Sequence, residues 1–303
     1  FLPKNKYNFP LKLISTEMPI GISYKSGVSA QLKSAVILAG LNSYGATEIT
    51  EIEKSRDHSE NLLCSNFKAI KIKKGRKKII KVFGKKDLNS INIDIPGDPS
   101  SAAFFTALAL MNKNSSLKIK KVGLNPTRTG FYELLKKHGA KIKFSNIKKN
   151  NNEIHGDINI KSCKIKPIKA SKDFYVKATD EYPILFVIAA LTQGLSTFKG
   201  IEDLANKESN RIKEMQKILN QIGIKTIAKK NEIKIFGKKN IKIKKKIIKV
   251  PGLGDHRICM ASLILSLLLG VKVKINNFET VYTSSPSFLK IIKSLGGKYE
   301  IQK

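Results

Sequence analysis

Four times along the chain a polar cluster gives way to an apolar run of Ala and Leu at helical spacing, which turns and leaves as a segment of alternating apolar and charged residues. These are SAQLKSAVILAGLNSYGATEITEI from Ser29, GDPSSAAFFTALALMNKNSSLKIKKV from Gly97, TDEYPILFVIAALTQGLSTFKGI from Thr179 and DHRICMASLILSLLLGVKVKINNF from Asp255. Helix followed by strand is the expectation for each. A second, more amphipathic helix and another strand follow every time: RDHSENLL from Arg56, TRTGFYELLKKHGAKIKF from Thr127, ESNRIKEMQKILNQIGIKTIA from Glu208 and SPSFLKIIKSLGGKYEI from Ser285. The unit recurs at about 70–80 residues, too long for the common solenoid periods, and predicts repeated α/β units packed into lobes.

Local signals refine the boundaries. Asp98-Pro99 and Ser285-Pro286 each offer an N-cap with proline at the first helical position. INIDI (91–95) and KVKIN (272–276) alternate as half-buried strands do. KAIKIKKGRKKIIKV (68–82) and IKIKKKIIKV (241–250) read as hairpin strands with one apolar and one solvated face. The opening FLPKNKYNFPLKLIST has no Met and reads as a loop and strand entered midway, so preceding sequence is expected to be missing. In DLANKESNRIKEM (203–215), Ile212, Met215, Leu219 and Ile222 fall at helical spacing and Gly223 ends the run. A helix starting there puts Lys207 and Arg211 four apart in its first turn, where they repel each other and the macrodipole. An anion held in front of the helix would make that placement useful.

Composition changes the picture little. At 303 residues and 41% hydrophobic, the chain can bury one large core or two smaller ones. The formal net charge of +34 predicts attraction to phosphates, but the excess is mostly Lys scattered among Ile and Asn, as AT-rich coding would produce. No aromatic residues interleave the Lys-rich stretches to stack bases, so no nucleic-acid partner is expected. The longest apolar run, Ile258 to Val271, is interrupted by Cys259, Ser262 and Ser266 and falls short of a membrane span. No signal-peptide pattern is read at the start, and a cytoplasmic location without a membrane partner is the expectation. Cys64, Cys163 and Cys259 lie far apart with no CxxC pair, so neither a disulfide framework nor a metal site is indicated. Chemistry gathers instead at the helix starts, which carry Ser29 and Gln31, Arg56, Asp180 and Glu181, Lys207, Glu208 and Arg211, and Asp255, His256 and Arg257. Several such starts converging on one cleft would hold a substrate with more than one phosphate or carboxylate.

GDPSSAAFF, NPTRTGFYELLKKHGAKI, DEYPIL, KESNR and DHRICM, in this order, resemble the motifs of the 3-phosphoshikimate 1-carboxyvinyltransferase family over essentially the whole chain. SAQLKSAVILAGLN is similar to the Ser-Ala-Gln form of the bacterial subgroup noted for glyphosate tolerance. The resemblance implies an α/β (α+β) fold of two lobes built from βαβαββ units. Residues 1–96 would be the remainder of an incomplete upper, shikimate-phosphate-binding lobe, and 97–303 the lower lobe. The implied reaction transfers the enolpyruvyl group of phosphoenolpyruvate to the 5-hydroxyl of shikimate 3-phosphate, releasing phosphate, in the chorismate and aromatic amino acid route. By the same resemblance Asp180 helps activate the 5-hydroxyl and Glu208 delivers the proton. Ser29, Ala30, Gln31, Arg56, Asp180 and Lys207 contact shikimate 3-phosphate, and Gln31, Arg211 and Arg257 contact phosphoenolpyruvate. No cofactor is implied, the partners are these two small molecules, and the chain is expected to be a monomer and, lacking an upstream segment, inactive by itself.

Departures from the family pattern bear on fine positioning. Asn210 replaces an aspartate, Ala205-Asn206 an Arg-Val pair, Thr283 a phosphoenolpyruvate-contacting lysine and Ser285 a phenylalanine. His58 and His256 are expected to make structural hydrogen bonds, and Arg128 to order a loop. Two other readings stay open: the sister transfer to UDP-N-acetylglucosamine, against which DEYP and KESNR argue, and a basic nucleic-acid-binding protein, which would explain the charge but not the repeats.

Overall fold

The computed structural model describes residues 12, 14–73, 75–241, 243 and 247–302, and it divides into two compact units. One holds the described residues up to Asp94 with Asn151–Glu153, the other Ile95–Asn150 and the chain from Ile154 on.

The first unit is one copy of the repeat: β1 (Ser23–Ser26), α1 (Ala30–Leu41), β2 (Ala46–Glu51), α2 (His58–Asn66), β3 (Ile70–Lys73) and β4 (Lys78–Phe83). Its sheet runs β1-β2-β4-β3, with β1 and β2 parallel and β4 antiparallel to both its neighbours. A parallel pair needs a crossover, which α1 supplies, whereas β3 and β4 close as the hairpin read from 68–82. The core is small, with Ile37, Ile49, Leu63, Ile70, Ile80 and Val82 buried together. Leu32 and Leu38 of α1 are exposed.

The second unit continues with α3 (Pro99–Met111), β5 (Ser116–Gly123), α4 (Gly130–Lys137), β6 (Lys141–Asn150), β7 (Glu153–Lys161) and β8 (Lys169–Ala170). Next come α5 (Tyr182–Leu191), β9 (Gly194–Lys199), α6 (Arg211–Gln221), β10 (Thr226–Lys229) and β11 (Glu232–Gly237), then β12 (Ile247–Val250), α7 (His256–Leu269), β13 (Lys272–Ile275) and α8 (Phe288–Ser294). The sheet β8-β9-β11-β10 repeats the first unit's topology strand for strand, parallel then antiparallel. In β5-β7-β6 a parallel bridge from Gly97 to Val122 stands where that first strand would be. The apolar helices α3, α5 and α7 pack on one another, so Tyr182 to Ala190 are buried on every side, as helices without a polar face must be. Helix α6 instead buries Ile212, Met215, Ile218 and Leu219 and shows Lys213 and Lys217 to solvent. Helix α7 ends where Gly270 takes the left-handed conformation at φ 65°, open to glycine without penalty.

Several local expectations give way. INIDI (91–95) forms no strand, and Ile93 and Ile95 are exposed; alternation needs a hydrogen-bonded neighbour to become a strand, and none pairs with it among the described residues. KYEI, expected to close the last unit, is likewise unpaired, with Tyr299 and Ile301 exposed. Ser285 does not cap α8: its carbonyl accepts the Phe288 N–H at 3.0 Å, a turn that delays the helix until Phe288. The 241–250 stretch gives β12, which runs parallel to β13 and not in a hairpin. Residues 242 and 244–246, and nearly all of the opening segment, lie outside the described residues.

Candidate active site

Three helix starts of the second unit meet around one arginine. Asp255, fully buried, caps α7: its Oδ1 accepts the Arg257 N–H at 3.0 Å. Its Oδ2 accepts from Arg211 Nε and from Ser209 Oγ, both at 2.9 Å. The start of α7 is thereby tied to the start of α6, whose first residue is Arg211, 1% exposed. Arg211 Nη2 donates to Glu208 Oε2 at 2.6 Å, and Nη1 lies 3.7 Å from Asp180 Oδ1 in the 3-10 turn ahead of α5. Burial works against the Arg211 charge, but the hydrogen bond and charge of Asp255, then Glu208 and Asp180, overcome it and raise the pKa further.

Asp180 faces a second guanidinium, with Arg257 Nη2 3.9 Å from its Oδ2. Arg211 Nη1 and Arg257 Nε and Nη1 are buried and donate to no acceptor among the described residues. Buried charged donors left in this way are costly unless something anionic takes their hydrogen bonds. Beside them Glu181 is fully buried, and burial, then the negative charge of Asp180, push its carboxyl above the usual range. It accepts from Ser100 Oγ, which in turn accepts from Arg128 Nη2 at 2.7 Å. Arg128 Nη2 also reaches Asp98 Oδ1 at 2.7 Å. Burial would raise Asp98, but Arg128, Arg257 and hydrogen bonds from Ser101 hold it below the usual carboxylate range. Arg128 thus orders the start of α3. His256, first in α7 and half-buried, is lowered by burial and by Arg257, so its imidazole is neutral at neutral pH. Burial pushes the Cys259 thiol up to about 12, which leaves it inert.

The KESNR segment differs from its expected form. A 3-10 turn spans Glu202–Asn206, Lys207 is extended, and α6 begins only at Arg211, with the Asn210 side chain accepting the Lys213 N–H at 3.0 Å. Lys207 is therefore outside the helix, and the like-charge clash with Arg211 does not arise. Its Nζ instead lies 2.6 Å from Asp203 Oδ2, which also accepts the Tyr175 hydroxyl at 2.6 Å. Thr283 turns its hydroxyl to the Thr280 carbonyl at 2.8 Å.

The structure brings together Asp180, Glu208, Arg211 and Arg257, with Lys207 on the same segment as Glu208. In the first unit Ser29 caps α1 by accepting the Leu32 N–H at 3.3 Å, Ala30 and Gln31 open that helix, and Arg56 lies in the loop before α2. The residue sequence reasoning underused is Asp255. Its signal was present as an acidic residue directly before a helical run, but a cap that also clamps an arginine 44 positions earlier cannot be read from spacing. Among the described residues no group of three or more His, Cys, Asp or Glu could hold a metal ion, and no helix is long and apolar enough to cross a membrane.

The model of the EPSP synthase (3-phosphoshikimate 1-carboxyvinyltransferase) family matches residues 4–292. The chain belongs to this family. It is 37% identical over 296 residues to the 3-phosphoshikimate 1-carboxyvinyltransferase of Petrotoga mobilis, covering 97% of this chain and 67% of that protein. To the Aquifex aeolicus protein of the same name it is 38% identical over 280 residues, covering 90% and 64%. The structure of EPSP synthase from Acinetobacter baumannii superposes with a TM-score of 0.81 at 35% identity, covering 94% of this chain and 65% of that one. The enolpyruvyl transferase NikO from Streptomyces tendae shares the fold at a TM-score of 0.73 and 12% identity. The mixed α/β architecture is thus that of EPSP synthase, and the chain spans about two thirds of the length of the relatives it matches.

Proposed function

We propose that this chain takes part in the EPSP synthase reaction, transfer of the enolpyruvyl group of phosphoenolpyruvate to the 5-hydroxyl of shikimate 3-phosphate with release of phosphate. The observation that carries the reading is the cluster around Asp180: one carboxylate between two arginines that hold three buried N–H donors with no acceptor among the described residues. Such donors suit the phosphate and carboxylate of phosphoenolpyruvate.

In this reading Asp180 takes the proton of the 5-hydroxyl as its oxygen bonds to C2 of phosphoenolpyruvate. Glu208 gives a proton to the methylene carbon, C3. The tetrahedral product then loses phosphate from C2 and returns a proton from C3 to Glu208, which restores the double bond. Arg211 fixes the position of Glu208, with Nη2 2.6 Å from Oε2, and the side chain stays half exposed, within reach of protons from solvent. Arg211 and Arg257 grip phosphoenolpyruvate; Gln31 is read, from the motif resemblance alone, as a contact of each substrate. Lys207, steered by Asp203, is read as a contact of shikimate 3-phosphate; Ser29, Ala30 and Arg56 of the first unit are read, from the motif resemblance alone, as contacts of the same compound. Ser29-Ala30-Gln31 supports placement in the Ser-Ala-Gln subgroup. Residues 1–96 and 97–303 are read as parts of an upper and a lower lobe of a cytoplasmic monomer.

Calorimetric titration tests the reading. Phosphoenolpyruvate should bind, and Arg257→Ala should weaken it by about 10- to 100-fold, since a charge-assisted contact of about 1.5–3 kcal/mol is lost, while shikimate 3-phosphate is unaffected. No binding of either compound, or equal weakening of both, overturns it.

A further inference from the structure

A four-charge cluster in the first unit, with Lys33, Glu51 and Glu60 buried and Lys78 partly exposed, takes no part in the chemistry above. Lys33 Nζ, fully buried, lies 2.6 Å from Glu51 Oε1 and 2.7 Å from Glu60 Oε1. Lys78 Nζ lies 3.3 Å from Glu51 Oε2 and 3.0 Å from Glu60 Oε1. Two lysines and two glutamates leave no net charge, and they join α1, β2, α2 and β4.

Buried ion pairs are poor stabilisers, because removing the charges from water offsets most of their attraction, and apolar replacements of similar volume often do as well. The placement suggests another use. Lys33 lies one turn after Ser29, whose carbonyl accepts its N–H at 3.2 Å. Glu51 Oε1 also accepts the Ser55 N–H at 3.1 Å and the Ser55 hydroxyl at 3.0 Å, and Ser55 directly precedes Arg56. Glu60 sits in the first turn of α2, four residues beyond Arg56, and Ser34 and Ser59 meet across the two helices at 2.7 Å. One carboxylate, Glu51, therefore holds both the helix that opens with Ser29-Ala30-Gln31 and the loop that carries Arg56.

We propose that the Lys33-Glu51-Glu60-Lys78 cluster is a positioning device that fixes the Ser29-Ala30-Gln31 helix start and the Arg56 loop in one geometry for a phosphorylated ligand. The ligand half of this statement rests on the reading of the preceding subsection. The cluster's residues touch no substrate; they act through the two segments they join.

The test uses this chain with Lys33→Met and Glu60→Gln combined, which keeps the cluster neutral and leaves Glu51 with Lys78 and Ser55, and with Ser55→Ala alone. Hydrogen exchange is read first. Faster exchange confined to residues 29–34 and 55–60, with a thermal midpoint within a few degrees of the unsubstituted chain, is the expected result. Titration follows: the double variant should bind shikimate 3-phosphate about tenfold more weakly, the scale of a coupling of 1–2 kcal/mol, with phosphoenolpyruvate unchanged. Ser55→Ala should show the same pattern to a smaller degree. Unchanged exchange at both segments, or unchanged shikimate 3-phosphate affinity in a chain that binds it, overturns the proposal. If the double variant does not fold, Ser55→Ala decides by the same two readouts. If the unsubstituted chain binds no shikimate 3-phosphate, the functional reading fails, while the exchange pattern still decides whether the cluster positions the two segments.

Discussion

Asp255 is the residue on which the second unit's site depends most. Its two oxygens serve the Arg257 N–H, the Arg211 guanidinium and the Ser209 hydroxyl at once, so Asp255→Ala would leave a buried arginine without its main partner. Breaking a buried pair from one side costs about 3–5 kcal/mol, and a fall of that size in chemically measured unfolding free energy is expected. A loss below about 1 kcal/mol, the scale of one ordinary hydrogen bond, would show that Glu208 and Asp180 hold Arg211 alone. Lys207 should behave in the opposite way. Its pair with Asp203 is partly exposed, at 29% and 49% for the two side chains, so Lys207→Ala should change stability by no more than about 1 kcal/mol. Its effect should fall on shikimate 3-phosphate affinity, measured by titration.

At the scale of elements, the starts of α3 and α5 share the chain from Asp98 through Arg128 and Ser100 to Glu181. Glu181 is a carboxyl whose folded pKa is raised by burial and by Asp180. Between its ordinary and its raised value the folded state binds more protons than the unfolded one, so Glu181 makes the protein less stable as the pH rises through that range. Glu181→Gln keeps the shape and the acceptor for Ser100 but cannot ionise. The thermal midpoint of this variant should exceed that of the unsubstituted chain at neutral and alkaline pH, and the two should converge on acidification. A lower midpoint at every pH would mean that Glu181 is held as the anion.

For the whole molecule, the two units have separate cores of unequal size. Six residues form the buried cluster of the first, whereas α3, α5 and α7 with their sheets form a far larger one in the second. Amides of β2 and β4 should therefore exchange faster than those of α3, α5 and α7. Acid should widen the gap. Burial alone would raise Glu51, but its hydrogen bonds with Lys33 and Ser55 and the charges of Lys33 and Lys78 hold it below the usual carboxylate range. A depressed carboxylate contributes stability that is present above its ordinary pKa and lost as the pH falls through the folded value. Exchange in the first unit should accelerate across that interval before the second unit responds. Simultaneous loss in both units would show one cooperative body.

The sequence by itself determined the repeat, the order of its apolar and amphipathic helices in all four copies, the cap at Asp98, and the set of charged helix starts. Those features depend on neighbours within a turn or a strand, where spacing and side-chain type decide the conformation. Only the tertiary structure decided where alternation becomes a strand. KVKIN found β12 beside it, while INIDI and KYEI pair with no strand among the described residues. It also decided that Lys207 leaves the helix for Asp203, that Asp255 clamps Arg211, and that Lys33 is buried between two glutamates. Each of these outcomes turns on a contact the local pattern does not encode: a neighbouring strand, an arginine 44 positions away, or two carboxylates brought to a lysine from separate elements of the fold.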